Sequence, residues 1–257
     1  MSVLQAALDD YLRLRRGLGH KLAEHERQLV RFVAQMEDAG ATFITMADTL
    51  AFVLDPDLDP TSSTPARRLM ALRGFTRYLC AIDPRNEVPP AGLVSYRPRG
   101  RVPHIFSDEE VAAVVRAVRA STPFAFRAET VATVTVLLAV SGMRVGEALR
   151  LDCGDVDWEE AVLKVRNTKF TKGRDVVVSA STLDALAAYR SSRDARGPAT
   201  TRLFVSLAGT PVIYQNFFRT FHKAVLVAGV GAGRPTSPRA HDLRHSFAVR
   251  SLISDVA

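Results

Sequence analysis

Ser141-Gly-Met-Arg-Val-Gly-Glu-Ala-Leu-Arg-Leu151 is the stretch on which the fold turns. It follows Val131–Val140, a run apolar all round, as suits a helix buried in a core. The buried run ends, a glycine opens the chain, and a new helix presents Arg144. Glu147 stands three residues on, so the two side chains lie on one helical face. Taken alone, such a pair reads as an exposed ion pair worth about a few tenths of a kcal/mol.

Downstream, Ala161–Arg166 and Asp175–Ser179 are short and rich in valine. Between them lies Asn167-Thr-Lys-Phe-Thr-Lys-Gly-Arg174, polar and glycine-containing, which predicts a β-hairpin with a basic tip carrying Lys169 and Lys172. Helices follow over Thr182–Arg193, Ile213–Ala228 and His241–Ile253. The last begins in Ala240-His-Asp-Leu-Arg-His-Ser-Phe-Ala248, where His241 and Arg244 share a face. His241 and His245 also have the i,i+4 spacing of zinc ligands, but no glutamate follows His241 and no third ligand is evident. A capped, structural histidine is the competing reading of His241.

Upstream, Leu4, Leu8, Tyr11, Leu12 and Leu14 make one helical stripe, ended near Gly17 and Gly19. Leu22, Leu29, Phe32, Val33 and Met36 make a second, ended by Gly40. A short third helix lies around Met46–Leu54. The Pro-, Asp- and Ser-rich segment over 55–65 is a loop, and Pro65–Ile82 is a fourth helix with Leu69, Leu72, Phe75 and Leu79 toward a core. Arg73 and Arg77 share a face of it, either a solvated basic face or one that meets phosphates. Residues 84–106 hold five prolines interleaved with Arg97, Arg99 and Arg101, the pattern of a stiff basic linker. Ser107-Asp-Glu-Glu110 then has capping-box spacing, so a helix starts there.

The charge balance agrees with an acidic partner. Lys and Arg number 34 against 27 Asp and Glu, a formal net charge of +7. Residues 1–100 carry 13 basic against 12 acidic side chains, and residues 101–257 carry 21 against 15, so the second half should hold such a partner more firmly. Cys80 and Cys153 stand far apart, in no disulfide or zinc pattern, which suggests a reducing compartment. The first residues have no signal-peptide character and the longest apolar run is too short to span a bilayer. A cytoplasmic protein with no membrane partner is the expectation.

An arginine at the start of a helix, a lysine on a hairpin and then His-x-x-Arg form the ordered signature of the tyrosine recombinases, the phage-integrase family. SGMRVGEALRL closely resembles that family's first arginine motif and AHDLRHSFA its second. The resemblance is strong over 139–151 and 239–248, moderate over 161–179 and architectural elsewhere. It implies a mainly α fold with a small β-sheet, of the α+β class. A helical, SAM-like core-binding domain would occupy 1–83, the linker 84–106, and a mixed catalytic domain 107–257, incomplete at its C-terminus.

The resemblance also implies roles. In this family a tyrosine oxygen attacks a DNA phosphodiester, and the 3′-phosphotyrosine stores the bond energy for rejoining. Arg144 and Arg244 would clamp the non-bridging oxygens, where negative charge gathers. Lys169, preferred to Lys172 on the alignment of the hairpin, would protonate the leaving 5′-oxygen. His241 would hydrogen-bond the phosphate or help move the nucleophile's proton. Glu147 would orient and charge-balance the cluster. Arg73, Arg77, Arg97, Arg99, Arg101, Lys172 and Arg174 would contact DNA. No cofactor and no metal are implied; the partners are double-stranded DNA and further copies of the chain, as a tetramer on DNA.

One departure matters. The family's nucleophile lies beyond His-x-x-Arg, whereas the five tyrosines here, Tyr11, Tyr78, Tyr96, Tyr189 and Tyr214, all precede Arg244. Ile213–Ala228 reads as a core helix, which sets Tyr214 aside. The expectation is therefore a recombinase that lacks its own cleaving group and assembles weakly. The alternative is a non-catalytic protein occupying recombination sites. A type IB topoisomerase-like swivelase and an RNA-binding protein are more remote, the latter for want of an aromatic stacking pattern.

Overall fold

The computed structural model describes residues 2–58, 62–94, 101–166 and 173–254. The chain forms two compact units, Met1–Gly100 and Arg101–Ala257.

The first unit is helical. Its elements are α1 (Val3–Gly17), α2 (Ala23–Asp38), α3 (Met46–Val53) and α4 (Thr64–Cys80). Ser2 caps α1 by accepting the Gln5 N–H, and Thr45 with Asp48 forms a capping box on α3. The apolar stripes meet as their spacing predicts: Leu8, Leu29, Phe32, Val53, Leu72 and Phe75 are all fully buried. Leu14 departs from the expected stripe. It is exposed, because the α1 face that packs inward is carried by Leu4, Leu8, Tyr11 and Leu12. Arg68 is buried: its guanidinium donates to the Phe52 carbonyl and to Asp55 (3.1 Å) and lies 4.3 Å from the Phe52 ring, joining α4 to the end of α3. Beyond α4 the chain stays attached to this unit. The Asn86 side chain accepts from Ile44 N–H, Glu87 N–H donates back to the Ile44 carbonyl, and Leu93 and Val94 pack on the core.

The second unit is mixed. Helices α5 (Asp108–Ser121) and α6 (Ala125–Ser141) lead into α7 (Val145–Ala148), followed by a 3-10 turn at Cys153–Asp155. Strands β1 (Val156–Asp157), β2 (Val162–Val165) and β3 (Arg174–Val177) form an antiparallel sheet in the order β1-β2-β3. Helices α8 (Ala180–Asp194), α9 (Tyr214–Val227) and α10 (Ala240–Ser254) complete it. The predicted box at Ser107 and Glu110 starts α5. Helix α6 is the centre of the unit, packed against α5, α8, α9 and α10, which is why it is apolar nearly all round.

Three sequence expectations change here. The sheet has a third strand, β1, paired with β2 through Val156 and Leu163. Helix α7 is a single turn, and Arg144 is not in it but caps it in extended backbone. Arg174 is not in the hairpin tip: it opens β3, paired in register with Val165.

The start of the second unit is strapped to α10. Ser246, fully buried, accepts the Phe106 N–H at 2.8 Å and donates to the Asp242 carbonyl at 2.9 Å. Arg101 donates to the Ser237 carbonyl and to Asp242 (3.0 Å).

Candidate active site

The α6–α7 corner gathers most of the residues marked out in the sequence. Helix α6 ends at Gly142 in left-handed backbone, φ +59°. A Cβ there would lie 2.3 Å from the Phe247 ring, so only glycine lets α10 come this close. Arg244, on the same helix as Phe247, donates from Nη1 to the Gly142 carbonyl. One close contact thus sets both arginine motifs against each other.

Glu147 is the hub. Its side chain is only 3% exposed. It accepts the Arg144 backbone N–H at 3.0 Å, which is half of a capping box, and the Arg144 Nη1 at 2.8 Å. Arg174 reaches it from β3 with both terminal nitrogens, at 3.2 and 2.7 Å. Burial alone would raise the Glu147 pKa. The hydrogen bonds from Arg174 and from the Arg144 backbone and guanidinium outweigh it and hold the carboxyl at about 2. This is therefore not the exposed ion pair that spacing suggests, but a carboxylate kept charged in the interior by two guanidiniums.

Those guanidiniums remain open on their outer sides, with side chains 44% exposed for Arg144 and 35% for Arg174. Arg244 has its pKa lowered by burial and then by the positive charges of Arg144 and Arg174, with Glu147 opposing. Three guanidiniums against one carboxylate leave the cluster net cationic, as an anion receptor requires.

His241 lies in the first turn of α10 at the surface, its ring edge-to-face with His245, centroids 5.1 Å apart. Partial burial, then the charges of His245 and Arg244, push its pKa below the ordinary 6.5; Asp242 pulls the other way. No capping bond or buried partner fixes His241 among the described residues, unlike Asp242 beside it, which is buried and accepts Arg239 N–H and Arg101. Among the described residues no group of three or more His, Cys, Asp or Glu is arranged to hold a metal ion. No helix among them is long and apolar enough to cross a membrane.

Other expected site residues are placed differently. Lys169, Lys172, Arg97 and Arg99 lie outside the described residues. Arg101 is committed to Ser237 and Asp242, a tie the sequence did not signal, since its partners stand 136 and 141 residues away. Arg73 and Arg77 share a face of α4 in the first unit, Arg73 half-buried and Arg77 exposed.

The tyrosines can also be placed, except Tyr96, which lies outside the described residues. Tyr189 is in the core, its hydroxyl with Thr130 at 3.2 Å and Val205 N–H at 3.3 Å, and burial raises its pKa. Tyr214 is not a core residue as expected: it opens α9 half-exposed, stacked on Phe218, while Phe217 and Phe221 face inward. Tyr11 and Tyr78 belong to the first unit, ring to ring at 5.5 Å.

Comparison with known proteins supports the same assignment. The profile of the Phage integrase family matches residues 106–255. The chain is 38% identical over 261 residues to y4rB of Sinorhizobium fredii, which carries an integrase/recombinase name, covering 98% of this chain and 83% of that one. It is 30% identical over 271 residues to the tyrosine recombinase XerD of Mycobacterium leprae, covering 95% and 82%. Among solved structures, the Tn1549 transposon integrase in complex with a circular intermediate DNA matches with a TM-score of 0.67 at 17% identity, over 99% of this chain and 88% of that one. With an arginine cluster of this geometry and relatives of this closeness, the chain belongs to the phage integrase family of tyrosine recombinases, whose business is site-specific DNA recombination.

Proposed function

We propose that this chain binds double-stranded DNA at a recombination site and grips one phosphodiester between Arg144 and Arg244. The observation that carries this is the cationic cluster built on buried Glu147, with Arg244 held to the Gly142 carbonyl. Paired guanidiniums suit the non-bridging oxygens because each offers a planar fork of donors that never loses its charge. His241, whose pKa is lowered by partial burial and then by the neighbouring positive charges, donates or accepts a hydrogen bond at the same phosphate. Lys169 is the proposed acid for the leaving 5′-oxygen. The Tn1549 integrase, a fold relative, is seen with DNA, and the net charge of +7 favours the same partner.

In the family's reaction a tyrosine hydroxyl attacks phosphorus, a P–O5′ bond breaks, and the 5′-oxygen takes a proton. The five tyrosines of this sequence all precede Arg244, and Tyr189 is locked in the core. The second reading, a non-catalytic protein that occupies recombination sites, keeps the same grip on the phosphate and differs in whether a covalent adduct forms. Assembly on DNA as a tetramer and a cytoplasmic location belong to the same proposal. The test is selection of bound duplexes from a random pool, followed by denaturing gel electrophoresis of the complex with a nicked duplex. Salt-sensitive duplex binding is expected, and the covalent adduct separates the two readings. An adduct supports strand cleavage and overturns the occupying reading, its absence does the reverse for this polypeptide, and failure to bind duplex overturns both.

A further inference from the structure

From the Glu147 hub we infer that Arg174 is a positioning residue for the phosphate clamp and not a DNA-contacting one. This rests on the proposal that Arg144 and Arg244 grip a phosphate.

Glu147 would otherwise serve Arg144 alone. A buried carboxylate with one counter-ion holds that counter-ion tightly, turning its donors inward. Arg174 changes this by giving Glu147 a second, two-pronged partner at 2.7 and 3.2 Å, so the carboxylate is shared. Arg144 spends only Nη1 of its guanidinium on Glu147, and its side chain is 44% exposed. The two-pronged contact also fixes orientation, which a single contact does not. Arg174 opens β3 opposite Val165, so the same contact joins the end of the β2–β3 pair to α7. Arg174 also adds to the positive field at Arg244. The field at Arg244 depends on charge alone, whereas the shared carboxylate depends on the fork, which makes the role through Glu147 separable from direct contact with DNA.

The experiment follows the Nε–H resonances of Arg144 and Arg244, assigned with Arg144→Lys and Arg244→Lys, as inorganic phosphate is titrated into the full chain. Arg174→Lys keeps the charge but loses the fork. It should weaken phosphate binding by about tenfold, the worth of one charge-assisted hydrogen bond. In a Glu147→Gln background the same substitution should add nothing, because the path through the carboxylate is already cut. Thermal unfolding of each variant confirms that it is folded, and Glu147→Asp replaces Glu147→Gln if the latter is not. Wild-type binding by Arg174→Lys overturns the positioning role, as does an equal loss in both backgrounds, which would mark a direct contact. If neither arginine responds to phosphate in the unaltered chain, the clamp itself is overturned and this role with it.

Discussion

Arg244 donates its Nη1 to the carbonyl of Gly142, the left-handed residue that ends α6. The two arginine motifs lie about a hundred residues apart in sequence, yet this bond and the Phe247 ring against the glycine make them one surface.

Gly142→Ala should destabilise the second unit by about 2–4 kcal/mol, combining left-handed strain with overpacking against Phe247. Urea unfolding measures it. Phe247→Ala in the same chain should recover the overpacking share and leave the strain. Equal losses with and without Phe247 would remove the close approach from the explanation.

Glu147 has a folded-state pKa of about 2 against an ordinary 4.5. A carboxyl with a depressed pKa stabilises the fold above its ordinary value, and that stability is lost as pH falls from about 4.5 toward 2. The full effect is about 3 kcal/mol. Glu147→Gln should flatten the unfolding free energy over this window, while leaving its slope above pH 5 unchanged. An unaltered acid limb in the variant would assign the effect elsewhere.

The His241 titration midpoint should lie below 6.5, read from its ring C–H resonances. Since the unfolded chain takes up that proton first, the associated stability is present above 6.5 and declines as pH falls through the ordinary value toward the folded one. His245→Ala removes a like charge beside it and should move the midpoint up. Bound phosphate should move it the same way, so phosphate binding should tighten as pH is lowered through this range. A midpoint indifferent to both changes would detach His241 from the cluster.

Arg101→Ala should cost about 2–3 kcal/mol of stability, by stranding buried Asp242 at the start of α10. It should leave the salt dependence of duplex binding unchanged. Were Arg101 instead a phosphate contact, stability would hold and the logarithmic salt slope would fall by ~0.9.

The helices were legible because their apolar positions recur with helical spacing, and the start of α5 because Ser107 and Glu110 interact within one turn. The hairpin and both arginine motifs were legible in the same local sense. What escaped depends on partners far along the chain. Glu147 looked exposed because its burial is completed by Arg174, 27 residues on. Arg101 looked like a linker cation because its partner lies 141 residues on. Arg144 looked helical because nothing in its spacing shows that α7 stops after one turn, and a strand as short as β1 carries too few residues for an alternation to register. Leu14 and Tyr214 fit helical stripes by type, but only packing decides which edge of a stripe faces solvent.

Ser246 joins Phe106 to α10 across 140 residues of chain. Such a bond forms only after a very large loop has closed, and loops of that span are closed late in folding. During synthesis the α6–α7 corner therefore holds Arg144 on Glu147 but lacks Arg244 until α10 has emerged to meet it. An immature chain can carry positive charge without the paired grip, and so can associate loosely with any nucleic acid before it is able to hold one phosphate selectively.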